Sequence, residues 1–327
     1  MNFRTLVELP EKETEISHSD HLMLFGSCFS ENIGKMLVEN KFTCEVNPFG
    51  ILYNPLSISC ALKQVMAGTV YKENDLFEFG GMWHSWMHHG SFSSEVSSND
   101  CLQKINSRLQ KAINSLPNTN WLIITWGTAY VYRYQGNIVG NCHKCPEKMF
   151  TRERLSVEAI CEEWSDILRS IKCHFPTLKV MFSVSPIRHA KDGMHGNQLS
   201  KSTLLLAVDE LCRTFDNCFY FPSYEILMDE LRDYRFYSDD MLHPSSLAVE
   251  YIWECFCRTY FKENTIAIMK ECNEIQKALR HKPFHPESEA YRKFLSQIML
   301  RIERLKEKFP YIDIQKEIEQ CQILLNL

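Results

Sequence analysis

The sequence of 327 residues has no long hydrophobic run and no excess of basic charge. No segment approaches the roughly eighteen apolar residues that a membrane-spanning helix needs. The opening residues, MNFRTLVELPEKETEI, lack the apolar core of a secretory signal. The net charge of -5 and the scattered lysines and arginines argue against a surface for nucleic acid. We therefore expect a protein that binds neither membranes nor nucleic acids.

Internal repeats and low-complexity segments are also lacking, and the sequence shows no zinc-finger spacing of cysteine and histidine pairs. The composition, 45% hydrophobic and 24% charged residues, is ordinary for a globular protein. Fourteen cysteines without a secretory signal favour free thiols in a reducing compartment. We expect a cytoplasmic protein that needs no cofactor and no metal.

Apolar runs that alternate with helical segments predict an α/β fold. The segments HLMLF, FTCEV, WLIITW, LKVMFSVS and CFYFPS have the composition of buried strands. Amphipathic segments such as SVEAICEEWSDILRSIKC lie between them. This alternation predicts a three-layer α/β/α sandwich with a mostly parallel sheet, which we assign to residues 1–261. Ligands of such sheets bind beyond the carboxyl ends of the strands.

Two regions depart from this alternation. Residues 71–94 include FGGMWHSWMHHGSFS, which predicts a long loop or a small excursion over one edge of the sheet. Residues 262–327 have helical periodicity interrupted at HKPFHPES, which predicts a helical C-terminal extension. Its apolar faces suit either the sheet edge of the same subunit or a homodimer interface, and the sequence leaves both open.

A reactive group is predicted where the first strand becomes a helix, at GSC. The Ser27 hydroxyl would lie at the carboxyl edge of the sheet, beside helical N–H groups that suit an oxyanion. Cys28 is the alternative nucleophile, because a helix N-terminus stabilises a thiolate. We expect neighbours at a turn to point in different directions. Late in the chain, YSDDMLHPSS places Asp240 three positions before His243, and such a carboxylate can orient an imidazole base.

Histidines and tryptophans around residue 85 suggest a substrate groove, since indole rings suit the apolar faces of sugars. A zinc site that also uses Cys142 and Cys145 is the alternative, but no second ligand pair has a recognisable spacing. Arg188, beyond the fourth strand, suits an anionic substrate group or a protein carboxylate. The residues predicted to bind substrate are Trp83, His84, His88, His89, His143, Arg188 and His189.

Several sequence blocks in a fixed order resemble the GSCFA family. These blocks are GSCFSENIG, NPFGILYNP, WHSWMHHGSFS, TWGTAYVY, NCHKCP, SVSPIRHAKDG with NQLSKSTLLLA, and YFPSYEILMDELRDYRFYSDDMLHPS. The resemblance spans about residues 20 to 260. The family in turn resembles the SGNH (GDSL-like) hydrolases, which implies a serine hydrolase fold and chemistry without implying a substrate.

The resemblance implies a role for each residue that matches a superfamily motif. Ser27 would be the nucleophile, His243 the base and Asp240 its orienting acid. The backbone N–H groups of Ser27 and Gly50 would stabilise the oxyanion. The third superfamily donor is an asparagine in a Gly-x-Asn-Asp turn, and the corresponding turn here reads GTAY. The candidates to replace it are Thr128, Asn54 and Asn141.

The sequence therefore predicts an esterase that removes or transfers an acetyl-like O-acyl group on a small or carbohydrate-type substrate. The alternative is a ligand-binding protein on the same scaffold, which the missing asparagine favours. A third hypothesis is a metal-dependent hydrolase built on the histidines near residue 85.

Overall fold

A computed structural model describes residues 4–11 and 14–325. Its strands are β1 (His21–Gly26), β2 (Thr43–Val46), β3 (Leu76–Phe79), β4 (Met82–Ser85), β5 (Trp121–Trp126), β6 (Tyr130–Tyr134), β7 (Asn137–Val139), β8 (Phe150–Arg154), β9 (Lys179–Val184) and β10 (Cys218–Phe221). Its α-helices are α1 (Cys28–Glu39), α2 (Pro55–Met66), α3 (Ser98–Ser115), α4 (Val157–His174), α5 (Gly193–Thr214), α6 (Ser223–Glu225), α7 (Ser246–Tyr260), α8 (Glu263–Arg280), α9 (Glu289–Lys308) and α10 (Gln315–Leu325).

The main sheet contains the five strands that the sequence predicts. Its order is β10-β9-β5-β1-β2, and the pairs β1–β5, β5–β9 and β9–β10 are parallel. The predicted α/β fold with a mostly parallel sheet and flanking helices is confirmed. The strand order reverses between β1 and β5, and ligands of doubly wound sheets bind in the crevice at such a switch point.

The central strands are buried because helices cover the sheet. Every residue of β5 is buried, and β1 and β9 are buried except at their first residue. Their apolar side chains pack with residues of α2, α3, α4 and α5, including Ile58, Ile105, Trp164 and Leu204. Strands covered in this way consist of continuous apolar runs, as observed in WLIITW.

The region of residues 71–94, predicted as a long loop or a small excursion, contains an antiparallel hairpin of β3 and β4. Phe77 pairs with His84 and Glu78 with Trp83, so aromatic side chains that appear irregular in sequence occupy ladder positions. A second antiparallel sheet, with the order β7-β6-β8, follows β5. The prediction of strands from apolar runs did not include these short, polar pairs.

The described residues group into two compact units. Within the described ranges, the first unit comprises residues 4–11, 21–35 and 44–259, and the second comprises residues 14–20, 36–43 and 260–325. In the second unit α8, α9 and α10 share an apolar core that includes Ile275, Leu295 and Ile302. These units are discontinuous in sequence. The predicted division into a domain of residues 1–261 and an extension of residues 262–327 therefore stays a prediction.

None of the helices in the described ranges has both the length and the apolarity required to cross a membrane.

Candidate active site

Ser27 lies between the end of β1 and the start of α1 and caps the helix. Its carbonyl accepts the Glu31 N–H at 3.2 Å, and its hydroxyl accepts the Phe29 N–H at 3.3 Å. A side chain at Gly26 would place Cβ 2.5 Å from the Thr125 carbonyl oxygen, so only glycine lets β1 end this close to β5. The Ser27 hydroxyl is therefore held at the switch point between the two strands.

A cavity of about 420 Å³ opens at the carboxyl ends of β1, β5 and β9. Ser27, Cys28 and His243 all line it, although Ser27 itself is only 1% exposed. Both residues border the same space, but their side chains make different contacts, since the Ser27 hydroxyl accepts the Phe29 N–H and the Cys28 thiol faces Tyr53. The Cys28 thiol lies 3.8 Å from the Tyr53 hydroxyl.

A short loop before α7 joins His243 to Asp240. One carboxylate oxygen of Asp240 lies 2.5 Å from Nδ1 of His243, and the other accepts the backbone N–H groups of Leu242 and His243 at 2.9 Å each. The backbone hydrogen bond from His243, the one from Leu242 and the imidazole contact lower the pKa of Asp240 to about 2. Asp240 is thus an ionised carboxylate that fixes the imidazole through Nδ1 and leaves Nε2 as the candidate base.

No hydrogen bond joins the Ser27 hydroxyl to His243 within the described part of the chain. Hydrogen bonds between nucleophile and base are often long without substrate and shorten in the complex. The side chain of His243 is 46% exposed, so packing encloses only part of the imidazole. Ser27 and His243 thus line one cavity without a hydrogen bond between their side chains.

The two backbone groups predicted to bind an oxyanion are already hydrogen-bonded. The Ser27 N–H donates to the Thr125 carbonyl at 3.3 Å, and the Gly50 N–H donates to the Asn47 carbonyl at 2.7 Å. Gly50 does not line the cavity, and a side chain there would collide with His89. The geometry gives no support to an oxyanion contact from Gly50.

Two asparagine amides on the cavity wall have free donors. Asn54 caps α2, and its Oδ1 accepts the Ser57 N–H at 2.8 Å. Asn141 uses its Oδ1 to accept the His143 N–H at 2.8 Å. Because each oxygen is fixed by a backbone donor, each Nδ2 is a hydrogen-bond donor without a partner among the described residues. Each amide therefore offers a donor that a bound ligand could use, whereas the backbone N–H groups of Ser27 and Gly50 are already hydrogen-bonded.

Thr128, the remaining oxyanion candidate, lines the cavity but is occupied by local hydrogen bonds. Its hydroxyl lies 3.1 Å from the Ser200 hydroxyl and accepts the Tyr130 N–H at 3.1 Å. Its own N–H donates to the Tyr53 carbonyl at 3.0 Å. Thr128 therefore shapes the turn after β5 and has less donor capacity than Asn54.

A buried lysine ties together two loops that border the cavity. Lys201 of α5 is 0% exposed, and its Nζ donates to the carbonyls of Gly127 at 2.6 Å and Ser185 at 2.7 Å. Burial, with a smaller contribution from the charge of Arg188, lowers the pKa of Lys201 to about 7. Lys201 thereby fixes the turn after β5 to the turn after β9.

His189 and Arg188, which the sequence predicts to bind substrate, both lie on the cavity wall. Burial lowers the pKa of His189 to about 4, and the positive charges of Lys201 and His243 contribute to this shift. His189 is therefore a neutral imidazole at pH 7. Arg152 of β8 also lines the cavity and lies over the Tyr130 ring, 4.0 Å from its centroid.

The histidines and the tryptophan predicted in the 71–94 region do not line the cavity, and neither does His143. The rings of His84 and His143 are tilted by 37° with their centroids 4.4 Å apart, and the Ser93 hydroxyl lies 2.6 Å from Nδ1 of His84. His88 stacks on Phe49 at 4.5 Å. The residues that this geometry does not bring to the cavity are Trp83, His84, His88, His89 and His143.

Metal binding by this cluster also has no geometric support. Within the described residues, no group of three histidine, cysteine or acidic side chains is arranged to hold a metal ion. The ring nitrogens of His84 instead face a serine hydroxyl and the Phe79 carbonyl, and Nε2 of His143 lies 2.8 Å from the Ser85 carbonyl. These imidazoles are packed and hydrogen-bonded as parts of the core.

The sequence analysis missed several residues of the site. Tyr130 and Tyr132 line the cavity, and their spacing of two in TWGTAYVY was a sign that both lie on one face of a strand. Tyr53 and Arg152 had no comparable signal. Lys201 appears in an amphipathic helix pattern, where a lysine is normally exposed.

Fold and site together describe an α/β protein with a serine, a histidine and two asparagine amides around one cavity at its switch point. The chain belongs to the GSCFA family, whose sequence profile matches residues 21–256. The profile of the GSCFA domain protein, C-terminal domain, matches residues 272–327. The chain has no significant match among curated proteins.

Two solved structures show weak likeness to this chain. A Streptococcus pneumonia protein, provisionally described as a platelet activating factor, has a TM-score of 0.37 and 9% identity and covers 73% of this chain and 83% of its own. A carbohydrate esterase family 2 enzyme with a carbohydrate binding domain, from Corynascus thermopiles (Myceliophthora fergusii), has a TM-score of 0.28 and 14% identity and covers 46% of this chain and 38% of its own. At these scores neither likeness supports a conclusion about activity.

Proposed function

We propose that this protein is a serine esterase of the SGNH type that hydrolyses an O-acyl ester of a small or carbohydrate-type alcohol. The observation that carries the proposal is the shared cavity of Ser27 and His243, with Asp240 bound to the imidazole at 2.5 Å. A hydroxyl, an imidazole and an ionised carboxylate in this order form the nucleophile, base and orienting acid of acyl transfer.

In the proposed reaction, Nε2 of His243 takes the hydroxyl proton as Oγ of Ser27 attacks the ester carbonyl carbon. The π electrons of the carbonyl move to its oxygen, and the amides of Asn54 and Asn141 stabilise the resulting oxyanion. The oxyanion then collapses, the alcohol leaves with the proton from His243, and an acyl-Ser27 ester remains. Water repeats the sequence and releases the carboxylic acid.

Solvent access favours hydrolysis over transfer to another alcohol. The His243 side chain is 46% exposed, so water can reach the base without movement of a lid. Transfer requires exclusion of water from the acyl-enzyme. Tyr53, Tyr130 and Tyr132 provide ring faces against which a sugar or an aromatic alcohol can pack.

Hydrolysis of para-nitrophenyl acetate by single variants tests this proposal. Ser27→Ala and His243→Ala should lower kcat by about a thousandfold or more. Cys28→Ala should keep most of the activity, because its thiol is adjacent to the nucleophile without being part of the triad. Full activity in Ser27→Ala would contradict the proposal, and loss confined to Cys28→Ala would assign the reaction to the thiol.

The second candidate function is ligand binding without turnover. It is favoured by the occupied backbone amides, since Ser27 donates to Thr125 and Gly50 donates to Asn47. Thermal stabilisation by an acylated saccharide, together with no release of nitrophenol from any ester, would support this candidate over the esterase.

A further inference from the structure

Arg188 borders the cavity with no carboxylate partner among the described residues. Its backbone N–H donates to the Leu242 carbonyl at 3.3 Å, which ties it to the loop of His243. Its guanidinium reaches only the thioether sulfurs of Met194 at 3.9 Å and Met228 at 3.4 Å, and these two residues line a second cavity of about 600 Å³ that Arg188 also borders. Thioether sulfur is a weak acceptor, so these contacts do not balance the charge of Arg188.

The other cations of the cavity wall differ from Arg188 in this respect. Arg152 forms an ion pair with Asp192, and Lys191 pairs with Glu147 at 2.5 Å. The carboxylates near these cations are therefore already engaged. Arg188 is the lining cation whose hydrogen-bonding capacity the described residues do not use.

The acid of the catalytic loop is not available to Arg188. Asp240 uses one oxygen for the imidazole of His243 and the other for two backbone N–H groups. The positive field of Arg188 remains unbalanced and contributes, after burial, to the lowered pKa of Lys201. An anion bound at the guanidinium would neutralise this field.

We propose that Arg188 binds an anionic group of the substrate, a carboxylate or a phosphate carried elsewhere on the ester. The planar guanidinium presents paired N–H donors that match two oxygens of either group. This inference rests on the proposed esterase function and adds the substrate class. The substrate is an ester whose negative charge lies at Arg188 while its scissile bond lies at Ser27.

A matched pair of aryl esters tests this assignment. Para-acetoxybenzoate carries a carboxylate where para-acetoxybenzamide carries a neutral amide of similar shape. We expect kcat/KM of the wild type to favour the benzoate by about tenfold or more. Para-acetoxyphenyl phosphate is the second anionic arm, and comparison of the two anions identifies the preferred group.

Variants connect the preference to the guanidinium. Arg188→Met should reduce the benzoate-to-benzamide ratio of kcat/KM by about tenfold or more, and Arg188→Lys should retain an intermediate ratio. Arg232→Met is the control, since Arg232 already has Asp229 at 3.8 Å and should keep the wild-type ratio. A wild type without preference for either anion, or an Arg188→Met variant with an unchanged ratio, would overturn the proposal.

A binding measurement separates failure of this inference from failure of the esterase function. If no ester is hydrolysed, calorimetry with para-hydroxybenzoate and para-hydroxybenzamide still reports recognition of the anion. Binding of the benzoate that is lost in Arg188→Met supports the anion site in a protein without esterase activity. No difference between the two ligands for the wild type contradicts it.

Discussion

The Asp240 carboxylate contacts Nδ1 of His243 at 2.5 Å through one oxygen, and its second oxygen accepts two backbone N–H groups. An N–H donor in place of this second oxygen would face two backbone N–H groups, so the position requires an acceptor. This arrangement fixes both the position of the imidazole and the nitrogen that is available as base. Substitution of Asp240 is therefore the most direct test of how the imidazole is oriented.

Asp240→Asn should lower kcat by about 10³- to 10⁴-fold with little change in stability. Oδ1 of the asparagine will stay on the backbone N–H groups of Leu242 and His243, so Nδ2 will face Nδ1 of His243. The imidazole then carries its proton on Nε2 and cannot accept one from Ser27. Steady-state kinetics with para-nitrophenyl acetate measures the loss, and activity within tenfold of the wild type would show that Asp240 does not orient the base.

Asn54→Asp separates the cap of α2 from the oxyanion contact. Aspartate keeps the acceptor for the Ser57 N–H and so preserves the cap, but it removes the Nδ2 donor. We expect kcat to fall by about 10²- to 10³-fold. Equal melting temperatures of variant and wild type would show that the fold is intact. An unchanged kcat would exclude Asn54 from the oxyanion site.

Asn141→Asp is the matched variant for the second amide. It retains the acceptor for the His143 N–H, and it tests whether both amides contribute. A loss in both single variants supports two donors, and a loss in one assigns the oxyanion to that residue.

Lys201→Met should change how stability depends on pH. The pKa of Lys201 is about 7 in the folded protein and 10.5 for an ordinary lysine. Between these values the unfolded chain binds the proton and the folded chain does not, so Lys201 stabilises the wild type increasingly as pH rises. The neutral amine still has two N–H groups for the carbonyls of Gly127 and Ser185.

Urea unfolding between about pH 7 and pH 10 measures this effect. As pH rises, the difference in unfolding free energy between the wild type and Lys201→Met should change in favour of the wild type by at most about 1.4 kcal/mol per pH unit. Lys172→Met, which removes an exposed ion pair with Asp216, should show a constant difference from the wild type. A constant difference for Lys201→Met would contradict a neutral, buried amine.

Acid should destabilise the protein before the Asp240 carboxylate, with its pKa of about 2, is protonated. The pKa values of His88, His143 and His189 are about 3, 4 and 4, lowered chiefly by burial from an ordinary 6.5. The unfolded chain gains protons below pH 6.5 that the folded chain does not. The unfolding free energy should therefore fall by about 1.4 kcal/mol per pH unit for each imidazole between these values.

His143→Gln is the test variant for this acid effect, because its amide can keep the bond to the Ser85 carbonyl without titrating. We expect a shallower dependence of unfolding free energy on pH in this variant, measured with urea from pH 6.5 to pH 4. Exposed His174→Gln is the control with an unchanged dependence. A wild-type stability that is flat over this range would contradict neutral, buried imidazoles.

The sequence was sufficient to predict the main sheet, and the triad stays a prediction. Buried parallel strands consist of unbroken apolar runs, and a parallel α/β sheet brings the residues after its strands to one edge. That rule alone brings Ser27 and Arg188 to one cavity. His243, on the loop before α7, lines the same cavity, and its role as the base stays a prediction.

The role of the histidines near residue 85 was not predictable from sequence. The ring nitrogens of buried His84 contact the Ser93 hydroxyl and the Phe79 carbonyl, and Nδ1 of buried His88 contacts the Ser85 hydroxyl. The sequence pattern does not show that these groups meet in the folded chain. Lys201 was missed for the related reason that its acceptors, two loop carbonyls, come from other elements. Polar burial depends on contacts that only the folded chain shows.

Labelling with a fluorophosphonate, read by peptide mass spectrometry, tests the central claim most directly. An activated serine attacks the phosphorus and displaces fluoride, which leaves a stable phosphonate ester on Oγ. We expect one modified peptide, the one that contains Ser27, with labelling abolished in His243→Ala and retained in Cys28→Ala. A wild-type protein that stays unlabelled at Ser27 under conditions in which it hydrolyses an ester would contradict the account.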